Sequence, residues 1–574
     1  MIDHPAIFPI KRLWRGTKAT SKLFLLLLLS LVVVLAACGG GGNTNTPRAS
    51  TLRVLSAPGQ GNPDLFNPYF ITNAGSDFGS QGLLYETLYF QNLYNSQLSP
   101  WLASSYQYSS DLTQLTFHMR PGVKWNDGQT LTSQDVVFTF NLMKQHPALD
   151  QNSVWPTLLQ GVSAPDDNTV VFTLQHPDNT ALFKIGDQVF IVPQHVWQNI
   201  SGDPAKFAND KNPVGTGPYL LQSYSSQLIT YKKNPSYWGT KPQVDTIQVP
   251  SITDNTTAIL DMTQGTLDWM GTGWDPSYDA SYVNKDPQHN LHWFAPSNTV
   301  MLYMNLQKYP FNLLPVRQAI SAAINREALP QGAAQYAKVA SPSGVVVPSL
   351  SSWVAPQYQN SSWSYSPSQA ASYLQQAGFT KRSNGYYYDK NGKEFSMTLT
   401  VVNGWSDWQS DTANIQHNLQ AVGINATINT VGGYTPYYNA ISTGNYDAAI
   451  SWTNGGPTPY YPFQALLNSA NSAKPGAAVA GTNFERWSNS ATDQLLKEYV
   501  EAKDVNGQKQ AIYGLEDILV SQLPVIPLTV NVYWDEYTTR HFTGWPDANN
   551  PYDVAAPYQA PDCEYVILHL KPAS

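Results

Sequence analysis

The chain has 574 residues, of which 32 are Lys or Arg and 40 are Asp or Glu, giving a formal net charge of −8. That acidic balance excludes nucleic acid as a partner and excludes a polybasic grip on anionic lipid. Only two cysteines occur, Cys38 and Cys563, so no disulfide framework is possible and stability must come from burial in a chain longer than one compact core usually holds.

Residues 1–37 combine a basic stretch (Lys11, Arg12, Arg15, Lys18, Lys22), the apolar run Leu23–Leu35 and two alanines. That order predicts a secretory signal peptide, with an apolar part too short to cross a bilayer comfortably. Leu35-Ala36-Ala37-Cys38 resembles the bacterial lipoprotein signal, in which the cysteine is lipidated and becomes the new N-terminus. Lipidation at Cys38 would tie the protein to the outer face of the cytoplasmic membrane by its lipid alone. Residues 38–50, rich in Gly, Asn and Thr, read as a flexible tether.

Beyond the tether the pattern is mixed α/β, without an internal repeat and without another run long enough to span a membrane. Thr51–Leu55 alternates as a strand. Thr132-Ser133-Gln134-Asp135 is a capping box that opens a helix through Val136, Val137 and Phe140. Pro315 starts a helix with Val316, Ile320, Ala323 and Ile324 on its inner face. Ser366-Pro367 caps another, carrying Ala370, Ala371 and Leu374 and stopping at Gly378. The clearest unit is 415–452: a helix with Ile415, Leu419 and Val422 on one face ends at Gly423, and an alternating strand (Ile424, Ala426, Ile428) follows. A short aromatic helix, Pro436–Ile441, leads through Gly444 into a buried strand, Tyr446–Trp452. This alternation predicts a largely parallel sheet with ligand groups at the strand ends.

Four separated segments together carry a family resemblance. Phe117-His118-Met119-Arg120-Pro121-Gly122-Val123-Lys124-Trp125-Asn126-Asp127-Gly128, running on to Asp135-Val136-Val137-Phe138, resembles the amino-terminal signature of the extracytoplasmic solute-binding proteins of ABC importers, family 5, the class named for oligopeptide, dipeptide and nickel binding. Val214-Gly215-Thr216-Gly217-Pro218-Tyr219 with Asn234-Pro235-Ser236-Tyr237-Trp238-Gly239 is similar to its central signature. Arg317-Gln318-Ala319-Ile320 with Ile324-Asn325-Arg326-Glu327 is similar to its carboxy-lobe helix, with Asn325 in place of the usual Asp. Leu523-Pro524-Val525-Ile526-Pro527-Leu528 resembles its return strand.

The resemblance implies an α/β, two-lobed periplasmic-binding-protein-like fold (type II, cluster C) with an extra inserted domain. Lobe I is expected to comprise 51–88, 186–298 and 525–574, the inserted domain 89–185, and lobe II 299–524. The Gly215-Thr216-Gly217 turn supplies permissive backbone for a hinge. The implied function is capture of a small solute between the lobes and delivery to permease and ATPase subunits by a monomer, with no cofactor, no metal and no catalysis.

Peptide-binding members carry an Asp three residues after a strand-ending Trp. Here that place after Trp452 holds Gly455, and a second usual Asp is Thr458. A free ammonium entering a closing cleft wants a fixed carboxylate, because an unpaired buried charge is very costly. The stretches Asn403-Gly404-Trp405-Ser406-Asp407-Trp408 and Trp452–Tyr461 look instead like the oligosaccharide (cellobiose-type) branch. The expected ligand residues are Asn403, Trp405, Asp407, Trp408, Trp452, Asn454, Tyr460 and Tyr461, because sugar faces stack on rings while hydroxyls need polar partners. A neutral oligosaccharide is preferred, an oligopeptide or dipeptide is the alternative, and a secreted glycoside-acting enzyme is the third reading. No His-Glu-x-x-His, Gly-x-Ser-x-Gly, phosphate loop or Cys/His cluster supports catalysis, although a glycoside hydrolase would need only two placed carboxylates.

Overall fold

The computed structural model describes residues 50–55, 64–69, 78–252, 254–330, 336–346 and 349–573. The signal segment, Cys38 and all of the tether but Ser50 lie outside these residues. Among the described residues no helix is long and apolar enough to cross a membrane.

Two large sheets organise the molecule. In the seven-stranded sheet the order is Asn290–His292, Glu536–Thr538, Trp269–Met270, Thr51–Leu55, Thr246–Pro250, Leu228–Lys233 and Tyr219–Ser225. In the six-stranded sheet it is Lys338–Val339, Val525–Tyr533, Ala295–Met304, Ala448–Trp452, Ser396–Val402 and Asn425–Val431. Large buried clusters pack on each, Leu52, Val54, Tyr231 and Trp269 on the first and Leu302, Leu399, Ile415 and Ile450 on the second. A separate antiparallel sheet, Ala103–Tyr108, Gln114–Met119, Thr169–Leu174 and Leu159–Asp166, lies between the first two strands of the chain's path through the seven-stranded sheet.

Local signals explain several elements. Thr132 accepts from the Gln134 amide at 3.3 Å while Asp135 takes the Thr132 amide at 3.0 Å, so the capping box forms and opens the helix Ser133–Gln145. Ser366 accepts from the Gln369 amide at 3.2 Å to start Pro367–Gln376. Gly423 (φ 106°) and Gly444 (φ 81°) adopt the left-handed conformation that ends the helices Ser406–Val422 and Tyr434–Thr443.

The two arginines of the 317–327 signature pin the late strand. Arg317 donates to the carbonyls of Phe311, Gln522 and Leu523, and buried Arg326 donates to those of Pro527 and Ser321. Arg326 also lies 3.7 Å from the Trp363 ring centre. Their charge is spent on backbone oxygens, so these arginines hold the fold.

Three expectations shift. The six-stranded sheet is mixed, not largely parallel: Ser396–Val402 runs parallel to both neighbours, but Ala295–Met304 is antiparallel to both of its own. Only the 396–452 stretch has the helical crossovers that parallel pairing requires. Ile428 is 37% exposed because its strand is the sheet edge. Val525–Tyr533, expected to resume the first lobe, pairs within the six-stranded sheet, and the chain rejoins the seven-stranded sheet at Glu536–Thr538. Six of its nine residues are β-branched or aromatic and seven are buried, which suits a strand paired on both sides.

Candidate interlobe binding site

A cavity of about 310 Å3 opens between the six-stranded sheet and the segments 91–96, 183–188 and 559–562. Gln91, Asp187, Gln188, Gln559 and Asp562 line it from segments outside the six-stranded sheet, while Ser297 and Asn298 line it from Ala295–Met304, Asn454 and Pro459 from the loop after Ala448–Trp452, and Phe463 from the helix Tyr460–Leu467. At its edge the Phe183 ring meets Tyr461, with ring centres 4.7 Å apart.

Two carboxyl groups sit in this cavity on rigid supports. Asp187 takes the Gln91 amide and the Gln188 side-chain amide, both at 2.6 Å, and burial pushes its pKa up to about 6. Asp562 takes the Leu93 amide at 3.0 Å. Burial, with Asp553 beside it, holds Asp562 well above the carboxylate range. The lining includes no Lys, Arg or His among the described residues.

The expected ligand residues divide into three places. Asn454 lines the cavity and is exposed there. Trp405 and Trp452 stack at 5.2 Å and 20°, and Tyr434 lies near-parallel to both, at 5.5 Å and 5.7 Å. These rings stand where Ser396–Val402 and Ala448–Trp452 end, with Tyr434 41% exposed. Trp408 packs edge-on beneath Trp405 and is buried, so it is a support. Asp407 and Trp408 line a second, water-sized space with Asp411, Asn531 and Trp534. Burial raises Asp407 to about 6. Asn403 is exposed at the strand end, its amide donating to Val431 O at 2.8 Å. Tyr460 is buried and stacks on Tyr499 at 4.4 Å, while Tyr461 meets Phe183. None of these seven residues lines the main cavity.

The Gly215-Thr216-Gly217 turn is placed differently from a hinge. Thr216 is fully buried, and a Cβ on either glycine would fall within 2.2 Å of the Leu83 or Leu84 carbonyl oxygen. These glycines permit close backbone packing, tied by Gly217 N to Leu84 O at 3.0 Å. The chain passes between the two large sheets instead at Trp293–Phe294 and Trp534–Asp535, where the Trp293 amide donates to Asp535 O at 3.0 Å.

Sequence reasoning missed Asp187, Asp562, Asn298 and Tyr434. Tyr434 had a signal, the ring-rich run Tyr434-Thr435-Pro436-Tyr437-Tyr438 after two glycines. The two acids had none, because only tertiary pairing brings them to one cavity. Among the described residues no group of His, Cys, Asp or Glu is arranged to hold a metal, and Cys563 is buried with its thiol pushed well up by burial.

Comparison with known proteins gives a consistent set. Residues 97–474 match the model for bacterial extracellular solute-binding proteins, family 5 Middle. A dipeptide-binding protein of Escherichia coli is 28% identical over 495 residues, covering 81% of this chain and 87% of the relative. The crystal structure of a periplasmic oligopeptide-binding protein of an ABC transporter from Thermotoga maritima superposes with a TM-score of 0.84 at 27% identity, covering 91% of this chain and 99% of that one. The mannohexaose-bound structure of the same protein gives 0.79 at 27% identity, covering 92% and 99%. The solved structures are two-lobed binding proteins, the architecture formed here by the two large sheets.

Proposed function

We infer the function from one premise: the chain belongs to the bacterial extracellular solute-binding proteins of family 5. It is a substrate-binding protein of an ABC importer, acting outside the cytoplasm with permease and ATPase subunits. In our reading a solute that occupies the interlobe cavity and extends past Asn454 onto the strand-end rings outside it contacts both lobes, stabilises the closed state and is passed on unchanged. Lipidation of Cys38 is the proposed anchor.

The preferred solute is an uncharged oligosaccharide. The observation that carries this preference is the near-parallel set of Trp405, Tyr434 and Trp452 at the strand ends, a surface suited to the apolar faces of sugar rings. The mannohexaose complex of the Thermotoga maritima protein supports it. Peptide is the second reading, favoured by the dipeptide-binding relative and by cavity carboxyls able to accept an ammonium. Calorimetry with mannohexaose, cello-oligosaccharides, xylo-oligosaccharides and di- to pentapeptides tests the choice. Saturable saccharide binding with the sugar recovered intact is expected. Tight peptide binding with no response to any sugar overturns the preference, and turnover of the ligand overturns the receptor reading.

A further inference from the structure

The main cavity is rich in hydrogen-bond acceptors and poor in charge partners for an anion. Asp187 and Asp562 present carboxyl groups fixed by the Gln91 and Leu93 amides. From the six-stranded side, Asn298 lines the same cavity, and its Oδ1 is buried with no hydrogen-bond partner. A buried acceptor of this kind is costly unless a donor meets it. The other lining polar groups, among them Ser297, Asn454 and Gln559, are neutral, and no cationic side chain lines the cavity among the described residues.

A ligand hydroxyl donates one hydrogen bond and accepts others, so it can satisfy these acceptors. A ligand carboxylate only accepts. Taken into this cavity it would lose its hydration, find no cation and stand near the ionised Asp187.

We propose that Asp187 makes the cavity selective against anionic solutes, so that it admits uncharged polyhydroxyl chains and rejects chains carrying uronate carboxylates. The proposal rests on the solute-binding reading above and narrows its ligand class. Asp187 acts as the specificity residue, its oxygens placed for hydroxyl donors and its charge set against carboxylates, while Asp562, which burial keeps protonated, lines the same wall as a neutral polar group.

The test measures dissociation constants for matched neutral and uronate oligosaccharides, mannohexaose against an oligogalacturonate and a cello-oligosaccharide against its oxidised uronate form. The wild-type protein should prefer the neutral member of at least one pair by 100-fold or more. Asp187→Asn, which keeps the shape and removes the charge, should narrow that ratio at least five-fold, whatever it does to the neutral ligand alone, whereas Asp562→Asn, at a carboxyl that burial keeps protonated, should leave it nearly unchanged. Circular dichroism and melting curves confirm folding, and the ratio itself is independent of how much protein is active. Equal affinity for the two members in the wild-type protein overturns the proposal, as does a ratio unchanged in Asp187→Asn. If peptides bind and no sugar does, the saccharide preference fails. The charge rule is then read from peptides with a free carboxyl terminus against the same peptides as carboxyl-terminal amides. Amide preference supports it and equal binding overturns it.

Discussion

Asn179 Nδ2 donates to the backbone oxygen of Tyr499 at 2.6 Å, joining residues 320 positions apart. The same side chain reaches Ala502 O at 3.0 Å, and the Asn179 amide donates to Val500 O at 2.9 Å. One asparagine therefore caps the carbonyls ending the helix Ser490–Glu501, where Tyr499 O also takes the Ala502 amide. Its own segment is held by Tyr108, whose hydroxyl donates to Asn179 O and accepts from the Leu182 amide. With the Phe183–Tyr461 ring contact beside it, this is a direct clasp between elements on the two sides of the cavity.

A clasp made only when the sides meet should set the closing equilibrium for every ligand alike. Asn179→Ala removes two side-chain hydrogen bonds, each worth roughly 0.5–1.5 kcal/mol, so affinity should fall about 5- to 100-fold by the same factor for all ligands. Small-angle scattering should show a larger radius of gyration at equal ligand occupancy. A factor that varies from ligand to ligand would mean that Asn179 contacts the solute instead.

Trp405 and Trp408 should separate binding from folding. Trp405 is partly exposed among near-parallel rings, whereas Trp408 is buried beneath it. Trp405→Ala should weaken saccharide binding by roughly 1–3 kcal/mol, about 10- to 100-fold, with little change in melting temperature. Trp408→Ala should cost about 3–5 kcal/mol of folding stability. Reversed outcomes in calorimetry and thermal melts would move the sugar platform away from Trp405.

How far the sequence could be read follows from distance along the chain. The capping box at Thr132 and the stop at Gly423 were legible because their partners lie within a turn or two. The 317–327 and 523–528 segments were legible as a pattern, but not that Arg317 and Arg326 use their guanidinium groups to hold the later strand. Trp405 and Trp452 were placed at strand ends, yet their stacking on Tyr434 depends on the packing of two separate crossovers. Asp187 and Asp562 belong to remote segments, and nothing local announces that they share one cavity. Asn179 carries no local signal, because its role depends on a helix end far along the chain.

Buried carboxyl groups give the stability a definite pH slope. Burial raises Asp187 and Asp407 to about 6 and Glu516 to about 7. A carboxyl with a raised folded-state pKa binds its proton more tightly when folded. Its contribution is complete below the ordinary value near 4 and is lost as pH rises through 6 to 7. The melting temperature should therefore fall between pH 5 and pH 8. Asp286, Asp389 and Glu394, whose values are lowered by hydrogen bonds, act only at more acid pH. Glu516→Gln should flatten the slope while keeping an acceptor for the Ala355 amide, now held at 2.8 Å. A slope unchanged in that variant would exclude Glu516 as its source.

Cys38 carries the proposed anchor. Buried acyl chains contribute about 0.8 kcal/mol per methylene, so two or more chains would hold the protein firmly. Cys38→Ala should release it into the medium or leave the signal segment uncleaved. Processed mutant protein that still fractionates with membranes would remove lipidation as the anchor.

Gly455 offers a test by gain of function. It lines the main cavity beside Asn454, and a Cβ built there meets nothing within 4 Å. Thr458, the other position where peptide-binding members carry an acid, is committed, its hydroxyl 2.7 Å from that of Tyr499. Gly455→Asp can therefore enter without displacing a neighbour, whereas Thr458→Asp would break an existing contact. The new carboxylate would supply the fixed partner that a peptide ammonium needs in a closing cleft. Affinity for peptides with a free amino terminus should rise about ten-fold or more, the scale of one charge-assisted hydrogen bond of roughly 1.5–3 kcal/mol. Amino-terminal acetylation should abolish the gain, and high salt should reduce it only modestly because the pair is enclosed. The variant should melt close to the parent, since the position is open. If Gly455→Asp folds normally and binds free and acetylated peptides equally, the amino terminus is not received at this strand end. The missing acid would then say nothing about what the protein carries.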